Sequence, residues 1–331
     1  MPLHPEVIDE AILRAFTEAG VASFRIPAVS RHPRIFRLVR DQEVITLWVY
    51  AWGLTHGGRR TLPNEFRIQI TGVESPLELN PSGWTVLLGY DPERNLFAGF
   101  DLRRHQHFGG RSPSVQIDVR VLDEAQLQGL SFGRKGNGEL AIGIRPDLLL
   151  FYCEHHFELH AAGADAVVMD LLDRAVDRQV VHETELTPLP APRRRLVQEV
   201  SRVTRSASFR RQVLAAYDHR CAVTGMQLRL IDAAHILPVS AGPESLDIVQ
   251  NGIALSPSYH RAFDVGLIYL TETFEMRLNH QKAHELQRIG LADGLADFAA
   301  PLGPIRLPVD RSLWPSVYYI RRGNEVRGIP A

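Results

Sequence analysis

Residues 232–268 read DAAHILPVSAGPESLDIVQNGIALSPSYHRAFDVGLI. His235, Asn251, His260 and Asp264 fall within this one segment, set among small and apolar residues around a Pro/Gly-rich turn. A packed core has no need of that set, because buried polar groups cost free energy unless they are paired. A site for acid–base or metal chemistry does need it. An imidazole titrates close to neutral pH, and a histidine and a carboxylate four apart on a helix share one face.

The surrounding pattern gives these residues a scaffold. SFRRQVLAAYDHR (208–220) predicts a helix, and CAVTG (221–225) predicts a short strand entering a tight turn. LRLIDAAHI (228–236) reads as a strand, and VSAGPESLDIVQNGIAL (239–255) as a loop and a second strand. SPSYHRAFDVGLI (256–268) reads as a helix capped by Ser256 or Ser258. Taken singly, each residue has a plainer reading. His235 could be a buried, satisfied histidine, Asn251-Gly252 a turn, and His260 with Asp264 an ordinary helix pair. The functional reading rests on their occurring together, in order, between these elements.

Four linked blocks carry a resemblance. They are C-x-x-T-G (Cys221, Thr224, Gly225), A-A-H-I-x-P (Ala233 to Ile236 and Pro238), N-G-x-x-L (Asn251, Gly252, Leu255) and H-x-x-F-D-x-G-L-I (His260, Phe263, Asp264, Gly266, Leu267, Ile268). With them, residues 208–278 resemble the HNH endonuclease family, in the subgroup found in predicted bacterial restriction endonucleases. The resemblance implies a ββα-metal fold and hydrolysis of phosphodiester bonds with one divalent ion. Mg²⁺ is the first expectation for that ion, with Mn²⁺, Ni²⁺ or Zn²⁺ as alternatives. It implies that His235 is the general base, that Asn251 holds the loop bearing His235 or else contacts the metal, the family pattern favouring the first, and that His260 and Asp264 chelate the metal. Many family members carry Asp or His directly before the base, where this chain has Ala234. Asp232 lies two residues earlier, and strand side chains alternate with period 2, so Asp232 is a substitute ligand or a partner of one. The departure at Ala234 leaves an alternative open: a catalytically weakened DNA-binding module, or a sensor whose N-terminal part binds a ligand or protein.

The bulk sequence bounds the rest. The chain has 331 residues, enough for two domains. Its 45% hydrophobic and 23% charged residues are ordinary for a globular protein. No apolar run approaches the roughly 18–20 residues of a membrane span. MPLHPEVIDEAILRAF lacks the basic-then-apolar order of a signal peptide. Two distant cysteines, Cys153 and Cys221, make no disulfide framework. A cytoplasmic protein is expected. Net charge is −1, yet eight arginines lie between Arg193 and Arg220, opposed only by Glu199 and Asp218. Such a stretch can hold a phosphate backbone locally. Arg193, Arg194, Arg195, Arg202, Arg205, Arg210 and Arg211 are therefore candidate DNA contacts.

Residues 5–20 predict a helix, and a strand series follows: IFRLVR, EVITLWVYAW, FRIQITGV, WTVLLGY, LFAGFDL, PSVQIDVRVL and ELAIGI. Residues 163–178 return to a helical period. Trp48, Tyr50 and Trp52 share one strand face and form a candidate pocket for an extruded base, with core packing as the plainer reading. Arg59 and Arg60 follow a glycine turn, and Arg103, Arg104 and Arg111 gather around another; all five are candidate DNA contacts.

The expected architecture is α+β. A mainly β domain, a curved sheet or open barrel, spans 1–183 and recognises DNA, with modified DNA as one candidate target. A Pro/Arg-rich linker covers 184–201, the HNH domain 202–290, and a tail 291–331 packs on it. DNA is the expected partner, with a homodimer for double-strand cleavage.

Overall fold

The computed structural model describes residues 3–27, 32–40, 43–109 and 113–329. The chain divides into two units, Met1–Ala207 and Ser208–Ala331.

In the first unit helix α1 (Pro5–Glu18) precedes strands β1 (Ala22–Arg25), β2 (Arg34–Arg40), β3 (Glu43–Gly53), β4 (Thr55–His56), β5 (Glu65–Gln69), β6 (Trp84–Asp91) and β7 (Leu96–Phe100). Then come α2 (Leu102–His105), β8 (Ser114–Asp118), α3 (Val119–Gln128), β9 (Leu130–Arg134), β10 (Leu140–Ile144), α4 (Leu149–Ala162), α5 (Ala166–Val176) and α6 (Glu183–Leu186). Seven strands form one open sheet in the order β1-β2-β3-β6-β7-β10-β9, antiparallel except where β3 runs parallel to β6. A smaller sheet pairs β4, β5 and β8.

Both faces of the large sheet are covered, so its central strands read as continuous apolar runs. WTVLLGYD of β6 is buried from its second residue onward. Val86, Leu88 and Tyr90 share one core with α1, α4 and α5 residues such as Phe16, Tyr152 and Leu172. The alternate residue Leu87 joins Ile68, Val115 and Ile117 of the small sheet in another. Each such fully buried Leu or Ile contributes about 1.5–3 kcal/mol. Gly99 of β7 has no room for a Cβ because the Tyr152 ring of α4 lies directly on it.

Helix enters where the pattern predicts only strand. In PSVQIDVRVL the strand stops at Asp118, whose carboxylate accepts from the Arg120 amide and caps α3. Helix α4, LLFYCEHHFELHAA, is apolar around most of its circumference, so no amphipathic stripe marks it.

Residues 184–201 are not an extended linker. They form α6 and the start of α7 (Ala191–Ala216), a 26-residue helix. Pro192 sits in its first turn, where no backbone donor is required. Leu196, Val197 and Val200 of α7 belong to the first core, and Phe209, Val213 and Leu214 to the core of the second unit. The second unit thus starts at Ser208 rather than at 202.

In the second unit β11 (Asp232–His235) pairs antiparallel with β12 (Gly252–Leu255), and α8 (Pro257–Asp264) follows. CAVTG is a turn rather than a strand: the Gly225 amide donates to the Cys221 carbonyl, with Gly225 at φ +69°. The strand read over 228–236 is confined to its last residues; Leu228 and Arg229 have positive φ. β13 (Ile268–Leu270), β14 (Glu275–Leu278) and β15 (Gly303–Pro304) make a further sheet. α9 (His280–Arg288), α10 (Leu295–Ala299) and α11 (Val317–Val326) complete the unit. Tyr319 and Ile320 of α11 lie in its core.

Candidate active site

His235 ends β11 and lies opposite Gly252 of β12. Gly252 is extended, at φ −123°, so its backbone does not demand glycine. Space does: a Cβ there would run into Val213 of α7. That close approach also brings Phe209 of α7 under the His235 ring, stacked at 3.9 Å and 13°. The Nε2 of His235 lies 2.8 Å from Asp247 Oδ1. A carboxylate beside Nε2 fixes the proton there and leaves Nδ1 as the basic nitrogen.

Asn251 is fully buried. Its Oδ1 accepts from the Leu237 amide at 2.8 Å, and its Nδ2 donates to Leu246 O, Leu237 O and Ser245 Oγ. Its own carbonyl accepts from the Ile236 amide. One side chain therefore closes the loop between His235 and Asp247.

Helix α8 opens at Ser256 with Pro257 at its first position. Tyr259, Ala262 and Phe263 turn into the core, leaving His260 and Asp264 on the opposite stripe. His260 Nε2 is 3.4 Å from Asp264 Oδ2, and its Nδ1 is 3.5 Å from Asp232 Oδ2. Asp232 Oδ1 in turn accepts from Arg210 Nη1 at 3.1 Å. The contact with His260 holds the Asp232 carboxyl below its ordinary range; burial opposes this and the Arg210 charge adds to it. Ala234 is fully buried in the core, whereas Asp232, on the same strand, reaches His260 directly.

His235, His260 and Asp264 line one pocket of about 540 Å³ with Pro238, Lys282 and Arg327. Asn251 lies behind it. Among the described residues no group of three or more His, Cys, Asp or Glu side chains is arranged as a ready-made metal cage. The donor types of Asp232, His260 and Asp264 are those a divalent ion takes, though here the two carboxylates stand at opposite nitrogens of the His260 ring rather than around one point.

Two site residues escape the sequence pattern. Asp247 lies in a loop among other polar residues, and Arg327 is 63 positions beyond Asp264 (327 − 264). Asp247 had one available signal, its position inside the segment that already held the histidines.

Several candidate DNA contacts are engaged within the protein. Arg193 donates to the Glu158 and Ala161 carbonyls near the end of α4. Arg205 donates to Ser201 O and Arg210 to Asp232. Arg103 pairs with Asp101 and lies over Phe157, Arg104 is 3.8 Å from Asp101, and Arg59 is 3.7 Å from Glu65. Arg60, Arg195, Arg202 and Arg211 are exposed and Arg194 is half-buried, and Arg111 lies outside the described residues. Of Trp48, Tyr50 and Trp52, Tyr50 is core. Tyr50 is buried, with its hydroxyl on the Glu78 carbonyl, and His32 stacks on Trp52 at 4.2 Å. A buried ring with a satisfied hydroxyl is core, which is the plainer of the two sequence readings. Trp48 is half-buried on the same strand.

Comparison with known proteins follows this division. Residues 221–271 match the HNH endonuclease family, and residues 45–153 match the family described as Methylase-associated X1. No curated protein matches the chain. Among solved structures, a modification-dependent TagI restriction endonuclease is similar at 14% identity. That likeness covers 83% of this chain and 80% of the other, with a TM-score of 0.29, too low to bear on the fold. No helix among the described residues is long and apolar enough to cross a membrane.

Proposed function

We propose, from the premise that the second unit carries an HNH endonuclease domain, that this protein is a restriction-type DNA endonuclease with its active site in the pocket of His235, His260 and Asp264. One observation supports this above all: His235, His260 and Asp264 of the family pattern line a single pocket, and each of the two histidines has a carboxylate partner.

In this reading His235 takes the proton of the attacking water at Nδ1. Asp247 keeps the imidazole in the required tautomer and steadies the cation formed. Asn251 sets the His235 loop by its hydrogen bonds and touches neither water nor phosphate. His260, Asp264 and Asp232 would hold a divalent ion, Mg²⁺ or Mn²⁺ best suiting two carboxylates. When bound, that ion supplies charge to the scissile phosphate and the leaving oxygen. Lys282, whose ammonium lies at the C-terminal end of α8 on the Val265 carbonyl, adds a cation at the pocket wall.

The first unit, which matches a family described as methylase-associated, would recognise DNA, with modified DNA as a candidate target. One such site attacks one strand, so a double-strand break takes two copies or two successive nicks. The test is cleavage of plasmid DNA, from methylating and non-methylating hosts, by the full chain with Mg²⁺ or Mn²⁺. Metal-dependent nicking that disappears in His235→Ala is expected. Equal cleavage by that variant would remove His235 as base, and no cleavage of any plasmid by the unaltered chain would leave only the binding-module reading.

A further inference from the structure

The catalytic pocket has a wall that the family pattern does not reach. Helix α11 packs so closely on the end of β11 that Gly323 has no room for a Cβ beside the Ile236 carbonyl oxygen. One turn later Arg327 is almost wholly buried, at 4% side-chain exposure. Its Nη2 donates to the His235 carbonyl at 3.1 Å and its Nη1 to the carbonyls of Ile236 and Gly323. Its guanidinium lies over the Phe263 ring of α8 at 4.3 Å. The same group is 4.0 Å from Asp264 Oδ1. Burial lowers its pKa to about 10, offset by the Asp264 charge, so it remains a cation at neutral pH.

Resting on the nuclease reading above, we infer that Arg327 is a positioning residue: it fixes the distance between the general base and the metal-holding helix, and so makes α11 part of the catalytic machinery. The geometry requires a guanidinium. Two N–H groups reach two successive carbonyls of the base-bearing strand, while the flat face stacks on the helix that carries His260 and Asp264. A lysine has one ammonium and no flat face. The arrangement also completes a chain through the site. Arg210, Asp232, His260, Asp264 and Arg327 follow one another at 3.1, 3.5, 3.4 and 4.0 Å. Each carboxylate turns one oxygen to His260 and the other to an arginine. The two arginines come from α7 and α11, outside the strand–strand–helix motif, and hold the carboxylates open on either side of the imidazole. Removing Arg327 frees Asp264 to swing and His235 to shift.

The experiment uses the full chain with Arg327→Met, Arg327→Lys and, in parallel, His235→Ala. Plasmid nicking gives kcat and KM, calorimetry gives Mn²⁺ affinity, and circular dichroism gives folding. In Arg327→Met, kcat should fall about 10²-fold, the loss that a misplacement of about 1 Å brings. KM for DNA should stay within about threefold and Mn²⁺ affinity should weaken about tenfold. Arg327→Lys should recover part of kcat. A folded Arg327→Met with kcat and Mn²⁺ affinity both near the unaltered values overturns the inference. So does a loss that tracks only the unfolded fraction and is the same in both Arg327 variants. If His235→Ala loses cleavage while Arg327→Met does not, the positioning role alone fails. If neither variant loses it, the assignment of His235 as base in this pocket fails with it.

Discussion

Two sets of histidines, one from each unit, are used in opposite ways. In the first, His32, His156 and His160 are packed inside: His32 Nε2 meets the Ala51 backbone, His156 Nδ1 the Cys153 carbonyl, and His160 Nε2 the Tyr152 hydroxyl. In the second, His235 and His260 keep 19% and 26% of their side chains exposed, face a pocket and touch carboxylates. Burial without a carboxylate holds an imidazole neutral and makes it structure. Partial exposure beside a carboxylate orients the ring and leaves it open to what enters the pocket.

The sharpest way to break this contrast is mutation of the exposed set. His235→Ala should lower cleavage by about 10²–10⁴ while leaving the melting temperature nearly unchanged. A variant with more than about a tenth of normal activity, measured as plasmid nicking, would place His235 with the structural histidines. Asp247→Asn should cost less, about 10–10²-fold in kcat, because the ring is still held but the positive charge formed on it loses its partner. A pH–rate profile that loses its basic plateau along with kcat distinguishes that role from simple loosening of the loop.

Acid separates the units thermodynamically. Burial lowers the pKa of His32 to about 4 and of His160 to about 3, and lowers that of His156 as well. The folded values lie below the unfolded value near 6.5, so the unfolded chain binds more protons in between and stability falls as pH drops below 6.5. At pH 5 the penalty is on the order of 2 kcal/mol for each of His32 and His160. Hydrogen exchange followed from pH 7 to pH 5 should therefore show protection lost first in strands β3 and β7 and helix α4. Loss beginning in β11 and β12 instead would reverse the assignment.

The smallest expected effect concerns DNA. Arg193 and Arg210 are engaged within the protein, whereas Arg194 and Arg195 remain as candidate phosphate-binding residues on α7. Replacing both with Gln should reduce the slope of log K against log salt by about 0.9 for each phosphate no longer neutralised, equally for all sequences. An unchanged slope would remove this helix from the interface.

Legibility in the sequence followed the same division. The strand–loop–strand–helix of 232–264 could be read because its residues are contiguous and its turn signals are local. The central strands of the first unit were legible through their β-branched runs. Helix α4 was not, since a segment buried on nearly all sides carries no stripe. The first part of α7 was hidden by prolines that sit at or before its first turn, where they favour a helix rather than break one, while its end falls in the helix read over 208–220. Tyr50 could not be assigned, because an aromatic strand face looks the same whether it meets a ligand or a second sheet. Arg327 could not be found at all: its partners are backbone carbonyls, which leave no residue type to match.

The clasp made by Asn251 has a consequence for re-engineering. Between Leu237 and Leu246 the loop is tied at both ends to a single buried amide, and its outward residues, such as Val239, stand 62% exposed. With Ser245 kept, since its hydroxyl bridges the Leu237 carbonyl and Asn251 Nδ2, the residues between these anchors should be exchangeable in length and sequence. If the proposed function holds, this loop, which lines the pocket at Val239 and Ser240, is where a grafted short peptide would change which DNA is approached while His235 stays in place.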